Sequence, residues 1–431
     1  MDALAGKKLL VLGGAPNEIS LVRRARELGV YVIVADYHLD RTLSPAKCVA
    51  DEAWDISWSD LDGLEKKCRE AHIDGVIAGY SELRVEQVVK LCERLNLPCY
   101  ISWDQLEITR DKVKFKNACR RNCVPVVKEY ASPKDVDHFP VIVKPVDRAG
   151  SIGISVAKDA QELEKSYRYA MEMSICKQVI IEDFISDATK FDAYYQIVEG
   201  EIYLVGTDDV INAKDNGLER VVQSAWLLPS VHQKYFIDKV DSSMRSMIQN
   251  MGIKNGYIFF SGFVNEEHEF VFFECGFRLC GGHYYEYFYQ TGGYNSLDLF
   301  IVHALTGSTS MLSRKADPNP ALKCATINLY AREGTVGSIS GMETVAELPD
   351  CLMALTQARK GQECREDTAI LSKLGIVHFC SESPVMLAEN VEKLYGIVSV
   401  IDANGKDMIY DRVAPEEVLH WWDNTESSLG S

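Results

Sequence analysis

Four stretches of this chain carry residue types able to hold a nucleoside triphosphate. Lys144 closes the apolar strand VIVKP, where its ammonium can emerge at a sheet edge and meet phosphate oxygens as a point charge. DRAGSIGIS follows at once, and its Gly150, Ser151 and Gly153 permit close backbone approach and offer amide and hydroxyl donors to an anion. Lys112 lies upstream in a basic stretch and can supply a second cation. VIIEDFI contributes Glu182 and the backbone of Phe184 and Ile185, a strand edge of the kind that hydrogen-bonds an adenine ring. In FVFFECGFRLCGG, Glu274 ends a strongly apolar strand where an unpaired carboxylate is costly, so a metal or cation partner is expected. Arg278, four residues on, can set a planar fork of donors on a phosphoryl or carboxylate oxygen, and Gly281 and Gly282 allow a further tight approach.

Each stretch alone has a plainer reading: a surface lysine, a hairpin, a salt bridge. Their order and spacing as a set carry more. From about residue 8 to 305, and more loosely to 412, the chain resembles the ATP-grasp ligases, in the branch of biotin carboxylase, the carbamoyl-phosphate synthetase large chain and bacterial L-amino acid ligases. The resemblance rests on TRDK at 109–112, FPVIVKPVDRAGSIGISV at 139–156, VIIEDFI at 179–185 and FFECGFRLCGG at 272–282. It implies that Lys112 and Lys144 bind ATP phosphates, that the loop at 147–153 closes over them, and that 182–185 holds adenine. It further implies that Glu274 ligates Mg2+ and that Arg278 stabilises the transferred phosphoryl group and an acyl phosphate. The activity implied is an ADP-forming ligation of a small carboxylate to an amine, with amino acids or a small acid as substrates; a bicarbonate-using carboxylase and a degraded nucleotide sensor are the alternatives.

Three departures from the family pattern matter, two at the metal and one, after the hinge, at a carboxylate that the resemblance implies for ribose. The family's E-x-N-x-R reads E-C-G-F-R, so Gly276 stands for the asparagine; the other metal carboxylate, expected twelve residues before Glu274, falls on Gly262; and the G-x-E after the hinge has become SDATKFD. Either magnesium is held with fewer protein ligands and more water or phosphate oxygens, or acids elsewhere substitute, with Asp208, Asp209 and Glu269 nearest in sequence, or catalysis has been lost. Cys275 and Cys280 read as packing residues, since the implied chemistry needs no nucleophilic side chain. For the second substrate the candidates are His283, Tyr285 and Glu286, with Tyr284 and Tyr287 beside them, then Arg332, Arg220, Glu82 and Arg84.

The elements that must position these residues are legible in outline. KKLLVLGG, YVIVAD, DGVIAG and PCYIS read as four strands alternating with helices, a small doubly wound domain over about 1–105. Its turn GGAPNE lacks G-x-G-x-x-G, so despite Asp36 at the end of the second strand a tight turn lining a cleft is preferred to a dinucleotide site. Residues 106–310 are expected to form the ATP-grasp core, its smaller lobe about 125–190, with a hairpin through Glu199 and Gly200; residues 311–425 read as a small β-rich domain framing a helix near 384–394. The fold class is thus mixed α/β and α+β, an N-terminal pre-ATP-grasp domain preceding a two-lobed core and a β-rich end.

Composition sets the outer limits. With 46 basic and 63 acidic residues the formal charge is −17, which excludes a polyanion-binding surface and so nucleic acid as a partner, though not a local cationic pocket. A content of 47% hydrophobic and 25% charged residues excludes wholesale disorder. The 13 cysteines form no C-x-x-C pair and read as reduced thiols; the apolar run after the first lysines is short for a signal segment, and no stretch reaches the roughly 18 apolar residues of a membrane span. A cytoplasmic enzyme acting on small molecules is expected, and enzymes of this size are often homodimers, although no interface can be read here.

Overall fold

The computed structural model describes residues 2–146, 153–185, 188–213, 222–365 and 372–423. Strands β1 (Lys8–Leu12), β2 (Tyr31–Ala35), β3 (Glu52–Trp54) and β4 (Gly75–Ile77) form a parallel sheet in the order β3-β2-β1-β4. KLLVL and YVIVA are continuous apolar runs because a parallel sheet is covered on both faces. The expected strand PCYIS is not one: the fourth strand is β3. Pro98 has no N–H for a ladder, and Tyr100 instead drives its ring into the core, edge-on to Phe277 and Phe300 at 5.1 and 4.6 Å, its hydroxyl donating to the Phe277 carbonyl at 3.1 Å.

A small antiparallel sheet follows in the order β5-β8-β6-β7, from β5 (Glu129–Tyr130), β6 (Val141–Pro145), β7 (Ser155–Ala157) and β8 (Val179–Asp183). The helix Ala160–Met173, capped by the Asp159 carboxylate, covers it with Leu163 and Ala170 against Val141, Val143 and Ile181.

The third unit is an eight-stranded antiparallel sheet. It comprises β9 (Thr189–Val198), β10 (Glu201–Asn212), β11 (Gln223–Leu228), β12 (Gly256–Val264), β13 (Phe270–Gly276), β14 (Lys323–Tyr330), β16 (Cys351–Thr356) and β18 (Lys373–Ser381), in the order β13-β12-β9-β10-β11-β14-β18-β16. Strands from beyond residue 311 therefore continue the sheet that begins with β9. The remaining strands, β15 (Gly334–Ser340), β17 (Glu363–Cys364) and β19 (Ser399–Asp402), make a separate three-stranded sheet. The hairpin at Glu199 and Gly200 joins β9 to β10 as expected.

Along β9 the sequence TKFDAYYQIV alternates. Phe191 and Tyr195 face one side, where Phe191 meets Phe236 at 5.2 Å and the Tyr195 hydroxyl donates to Asp241 at 2.7 Å, while Lys190, Asp192 and Tyr194 face the other. Antiparallel pairing carries this second face across the sheet: Asp208 lies opposite Asp192, Asp192 opposite Ser261, and Ser261 opposite Glu274. Among the described residues no helix is long and apolar enough to cross a membrane.

Asp209, one residue on from Asp208, points to the opposite face. There it accepts hydrogen bonds from Ser230 Oγ at 2.6 Å, Val231 N at 2.8 Å and Trp421 Nε1 at 3.1 Å, tying the chain end to the sheet. Asp209→Ala leaves these donors unsatisfied in a fully buried site and is expected to lower stability by about 2–4 kcal/mol in a denaturant melt. Nucleotide affinity, read on the other face, should not change.

Candidate active site

The first wall of the cleft comes from the small sheet and the helix Lys112–Arg121. TRDK is a helix start: the Asp111 carboxylate accepts from the amides of Val113 and Lys114 at 2.8 and 2.9 Å, which sets Lys112 at the first turn, its Nζ donating to the Val146 carbonyl at 3.4 Å. Burial pulls the Lys112 ammonium below the ordinary lysine range, Glu274 opposes this, and Lys144 adds to it, so these three groups share one electrostatic neighbourhood. Lys144, at the end of β6, is buried and donates to Glu182 Oε2 at 2.6 Å, with its Nζ 5.7 Å from the Phe273 ring centroid. Lys116, wholly buried, pairs with the other oxygen of Glu182 and lies 3.2 Å from Glu129.

Glu182 is engaged through its side chain. Its carboxylate is the shared counter-ion of Lys144 and Lys116. Burial alone would raise its pKa, but the two ammonium groups outweigh that and hold it below the usual range. Downstream, the Phe184 amide donates to the Pro140 carbonyl at 3.3 Å, and Ile185 follows half-buried at the strand's end. Gly150 and Ser151 lie outside the described residues. Gly153 adopts φ +77°, and a Cβ there would come within 2.7 Å of Pro145 and 2.8 Å of Met173, so the loop after Lys144 re-enters the sheet through a position open only to glycine.

The floor is the polar face of the large sheet. Glu274 is exposed to the cleft, which corrects the expectation of a buried carboxylate. The register also shows what occupies the places of the missing metal ligands. A bulge inserts Phe273, whose ring meets Phe263 at 5.1 Å, so Ser261 faces Glu274 and Gly262 pairs with Phe272. A Cβ on Gly276 would fall 2.4 Å from the Phe259 ring, and that ring also carries the Arg278 guanidinium at 5.3 Å. Arg278 Nε stands 3.6 Å from Glu82 Oε1. Burial raises the Glu82 carboxyl while Arg278 draws it down.

Of the acids considered as substitutes, Asp209 belongs to the far face and Glu269 to the β12–β13 turn, where Asn265 Nδ2 donates to it at 3.3 Å. Asp208 is on the cleft face, accepting from Tyr194 and Tyr284 hydroxyls at 2.6 and 3.2 Å, and burial raises its pKa strongly. The acid that sequence reasoning missed is Asp192. Its Oδ2 accepts from Lys190 Nζ at 3.0 Å, and its Oδ1 is buried without a hydrogen-bond partner. Among the described residues no group of three or more metal-ligating side chains forms a cage. Magnesium, however, is usually held by one or two carboxylates with phosphate oxygens and water. Glu274, open to the cleft, with the orphaned oxygen of Asp192 on the same face, fits that mode for one ion.

The substrate candidates divide. His283 is buried, meets the Tyr80 ring at 4.5 Å in a tilted contact and leaves both ring nitrogens without hydrogen-bond partners; burial holds its pKa well below the ordinary value. Tyr285 directs its hydroxyl to Met353 Sδ at 3.5 Å. Glu82 joins Arg278 as above, and Arg84 reaches back to pair with Glu18 at 2.9 Å beneath the GGAPNE turn. Asp36 accepts from Gly14 N at 3.1 Å and His38 N at 2.9 Å, so its carboxylate braces its own turn, as the tight-turn reading requires. Glu286 instead accepts from Gln290 Nε2 at 3.0 Å along its own helix, and Arg332 is exposed over Tyr410 at 5.8 Å, so neither is brought to the residues around Arg278. Arg220 lies outside the described residues.

Comparison with known proteins bears on the fold. Residues 113–211 match the family model described as the D-ala D-ala ligase C-terminus. Formate-dependent phosphoribosylglycinamide formyltransferase from Bacteroides thetaiotaomicron is 26% identical over 198 residues, 43% of this chain and 49% of that protein. The 2-oxoglutarate carboxylase small subunit of Hydrogenobacter thermophilus is 24% identical over 256 residues, 53% of each. The chain thus spans about half the length of the curated relatives it matches. In fold it is similar to an L-amino acid ligase from Bacillus licheniformis, with a TM-score of 0.73 at 18% identity over 93% of this chain and 100% of that one. It is equally similar to biotin carboxylase from Campylobacter jejuni, with a TM-score of 0.73 at 15% identity over 99% and 98%. Residues 113–211 thus match the D-ala D-ala ligase C-terminal model, and the chain shares the fold of these ligases and carboxylases.

Proposed function

We propose that this protein is an ATP-dependent carboxylate–amine ligase that works through an acyl phosphate and releases ADP and phosphate. The observation that carries the reading is the gathering of Lys112, Lys144, Glu274 and Arg278 around one cleft over the polar face of the large sheet. A carboxylate oxygen attacks the γ-phosphorus, the bond to the bridging β–γ oxygen breaks, and ADP departs. An amine nitrogen then attacks the acyl carbon, the C–O bond to phosphate breaks, and the nitrogen loses a proton. Lys112 and Lys144 offset the charge on the phosphates, and Arg278 lies where its fork can take the transferring group. Glu274 would hold magnesium, which would supply further neutralisation of phosphate charge. The glycine loop after Lys144 is assigned the exclusion of water from the hydrolysable intermediate.

On this reading residues 1–105 flank the cleft through Glu82, 106–310 hold the nucleotide, and 311–425 close the far side; the enzyme is cytoplasmic, homodimeric, and acts on small molecules. A second reading, a nucleotide-binding protein without turnover, draws on Ser261 and Gly276 standing where further metal ligands are expected. Phosphate release with ATP, Mg2+ and pooled amino acids separates them. Amine-dependent release supports the ligase, bicarbonate-dependent release a carboxylase, and ATP binding without release the sensor; absence of nucleotide binding at millimolar concentration refutes all three.

Two variants locate the site. Lys144→Ala should cut phosphate release by at least about 100-fold. It should fold normally, because Glu182 keeps Lys116 as its partner. Unchanged release would refute the assignment. Glu182→Gln, by contrast, leaves the buried Lys144 ammonium without a counter-ion and Lys116 with Glu129 alone, and should cost about 3–5 kcal/mol of stability. Because the folded-state pKa of Glu182 is depressed, its stabilisation is present above the unfolded carboxyl's range near 4.5 and is lost as pH falls through the folded value; an acid titration of the wild type against the Gln variant should show the two stabilities converging there.

A further inference from the structure

The helix Glu82–Leu95 ends in a reversal of the chain. Asn96 takes φ +55°, and the Leu97 amide donates back to the Cys92 carbonyl at 3.0 Å. The turn lays Cys99 against Cys92, a pairing that their spacing in the sequence does not announce. Both cysteines line a pocket of about 400 Å³, with Glu93, Asn96 and Trp103 among its other walls and none of the residues assigned to the cleft. Cys92 is buried and Cys99 half-buried, so a small solute entering the pocket meets Cys99 first.

The two sulfurs differ in character. A hydrogen bond from the Cys92 thiol draws the Cys99 thiol below its ordinary range against the effect of burial, and the Ile101 amide adds to this; the same contact and burial push Cys92 up. The more acidic sulfur is therefore also the more accessible one. Cys68, a further thiol in the field of Cys92, is buried and pushed up to about 12, and Cys324 and Cys380, opposite each other on β14 and β18, are both buried.

The elements that carry Cys92 and Cys99 meet again at the cleft. The helix of Cys92 begins with Glu82, 3.6 Å from Arg278 Nε. Tyr100, next after Cys99, donates its hydroxyl to the Phe277 carbonyl at 3.1 Å and sets its ring edge-on to the Phe277 ring. Closing a sulfur–sulfur bond of about 2.05 Å from hydrogen-bond contact draws Cys99 toward the helix, and Tyr100 cannot follow without shifting its hold on Phe277.

We propose that Cys92 and Cys99 form a peroxide-sensitive dithiol whose closure to a disulfide shifts the Phe277–Arg278 segment. The Cys99 sulfur attacks one oxygen of hydrogen peroxide, the O–O bond breaks, and water leaves with the thiol proton, giving a sulfenic acid. The Cys92 sulfur then attacks the Cys99 sulfur, the S–O bond breaks, and a second water leaves with the Cys92 proton. The two thiols together lose two electrons and two protons, and the peroxide is reduced to two waters. An external dithiol reverses the change.

The test treats the full chain with hydrogen peroxide in slight excess, blocks the remaining thiols with iodoacetamide and maps bridges by peptide mass. A Cys92–Cys99 bridge should form before any other among the 13 cysteines, revert with dithiothreitol and be missing in Cys99→Ser. In Cys92→Ala, Cys99 should persist as a sulfenic acid that dimedone captures. Without any substitution, Cys99 of the reduced protein should be alkylated at least about tenfold faster than Cys92. Amide exchange in the peptide holding Phe277 and Arg278 should change by about twofold or more when the wild type is bridged, and not when Cys99→Ser meets peroxide. No bridge, a bridge of Cys92 to Cys68 or of Cys324 to Cys380 in its place, alkylation of Cys92 as fast as Cys99, or a Cys92–Cys99 bridge that leaves this exchange unchanged would overturn the proposal. None of these readouts depends on turnover, so the ligase reading and the dithiol stand or fall separately.

Discussion

The site depends on the register by which β9 pairs with β12 on one side and β10 on the other. Side chains on a strand alternate between faces, so a one-residue slip of β9 would send Lys190, Asp192 and Tyr194 into the apolar layer and bring Phe191 and Tyr195 into the cleft. The aromatic contacts of Phe191 with Phe236, Phe270 and Phe272 resist that slip. The same packing therefore holds the polar row Asp208, Asp192, Ser261 and Glu274 in place on the other face. Core packing and site geometry are two faces of one pairing.

Charge is organised around that row in a way that reconciles a chain of formal charge −17 with binding of a polyanion. The cations that face the cleft are few, and each is set by a specific neighbour. Lys144 is held by Glu182, Lys190 by Asp192 and Arg278 by the Phe259 ring and Glu82. Glu182 serves two lysines, so the small sheet carries one more buried positive charge than negative at that point before Glu129 is counted. On the proposed reading, a phosphate chain entering beside Lys144 and Lys112 would meet a field already arranged, which is what electrostatic preorganisation requires.

How much of this was legible follows from what each signal depends on. The parallel sheet at the N-terminal end was readable because its strands are apolar runs bounded by glycine and followed by helical periodicity, all local properties. PCYIS misled because it has the composition of a strand while its tyrosine is committed to the core. Lys112, Lys144, Glu274 and Arg278 could be singled out because each stands next to a local pattern. Asp192 and Lys116 could not. Asp192 matters only because β9 lies beside β12, whose strand is more than sixty residues later in the chain, and Lys116 only because its helix passes under β8. Antiparallel register between distant strands has no trace in a single sequence.

The replacement of the family's asparagine by Gly276 shows why such a departure is to be read as packing before it is read as loss. The Phe259 ring occupies the space in which a side chain at 276 would start, 2.4 Å from where its first carbon would lie. That ring is also the surface on which the Arg278 guanidinium rests. An amide ligand at 276 would therefore require the ring that supports Arg278 to move. The chain gives up one neutral oxygen donor to the metal, which water or a phosphate oxygen can replace, and keeps a placed, permanently charged fork, which they cannot. On the proposed reading, the exposed Glu274 carboxylate would be the protein's main hold on the ion and the nucleotide's own oxygens would complete the shell, so metal and nucleotide would bind as a unit.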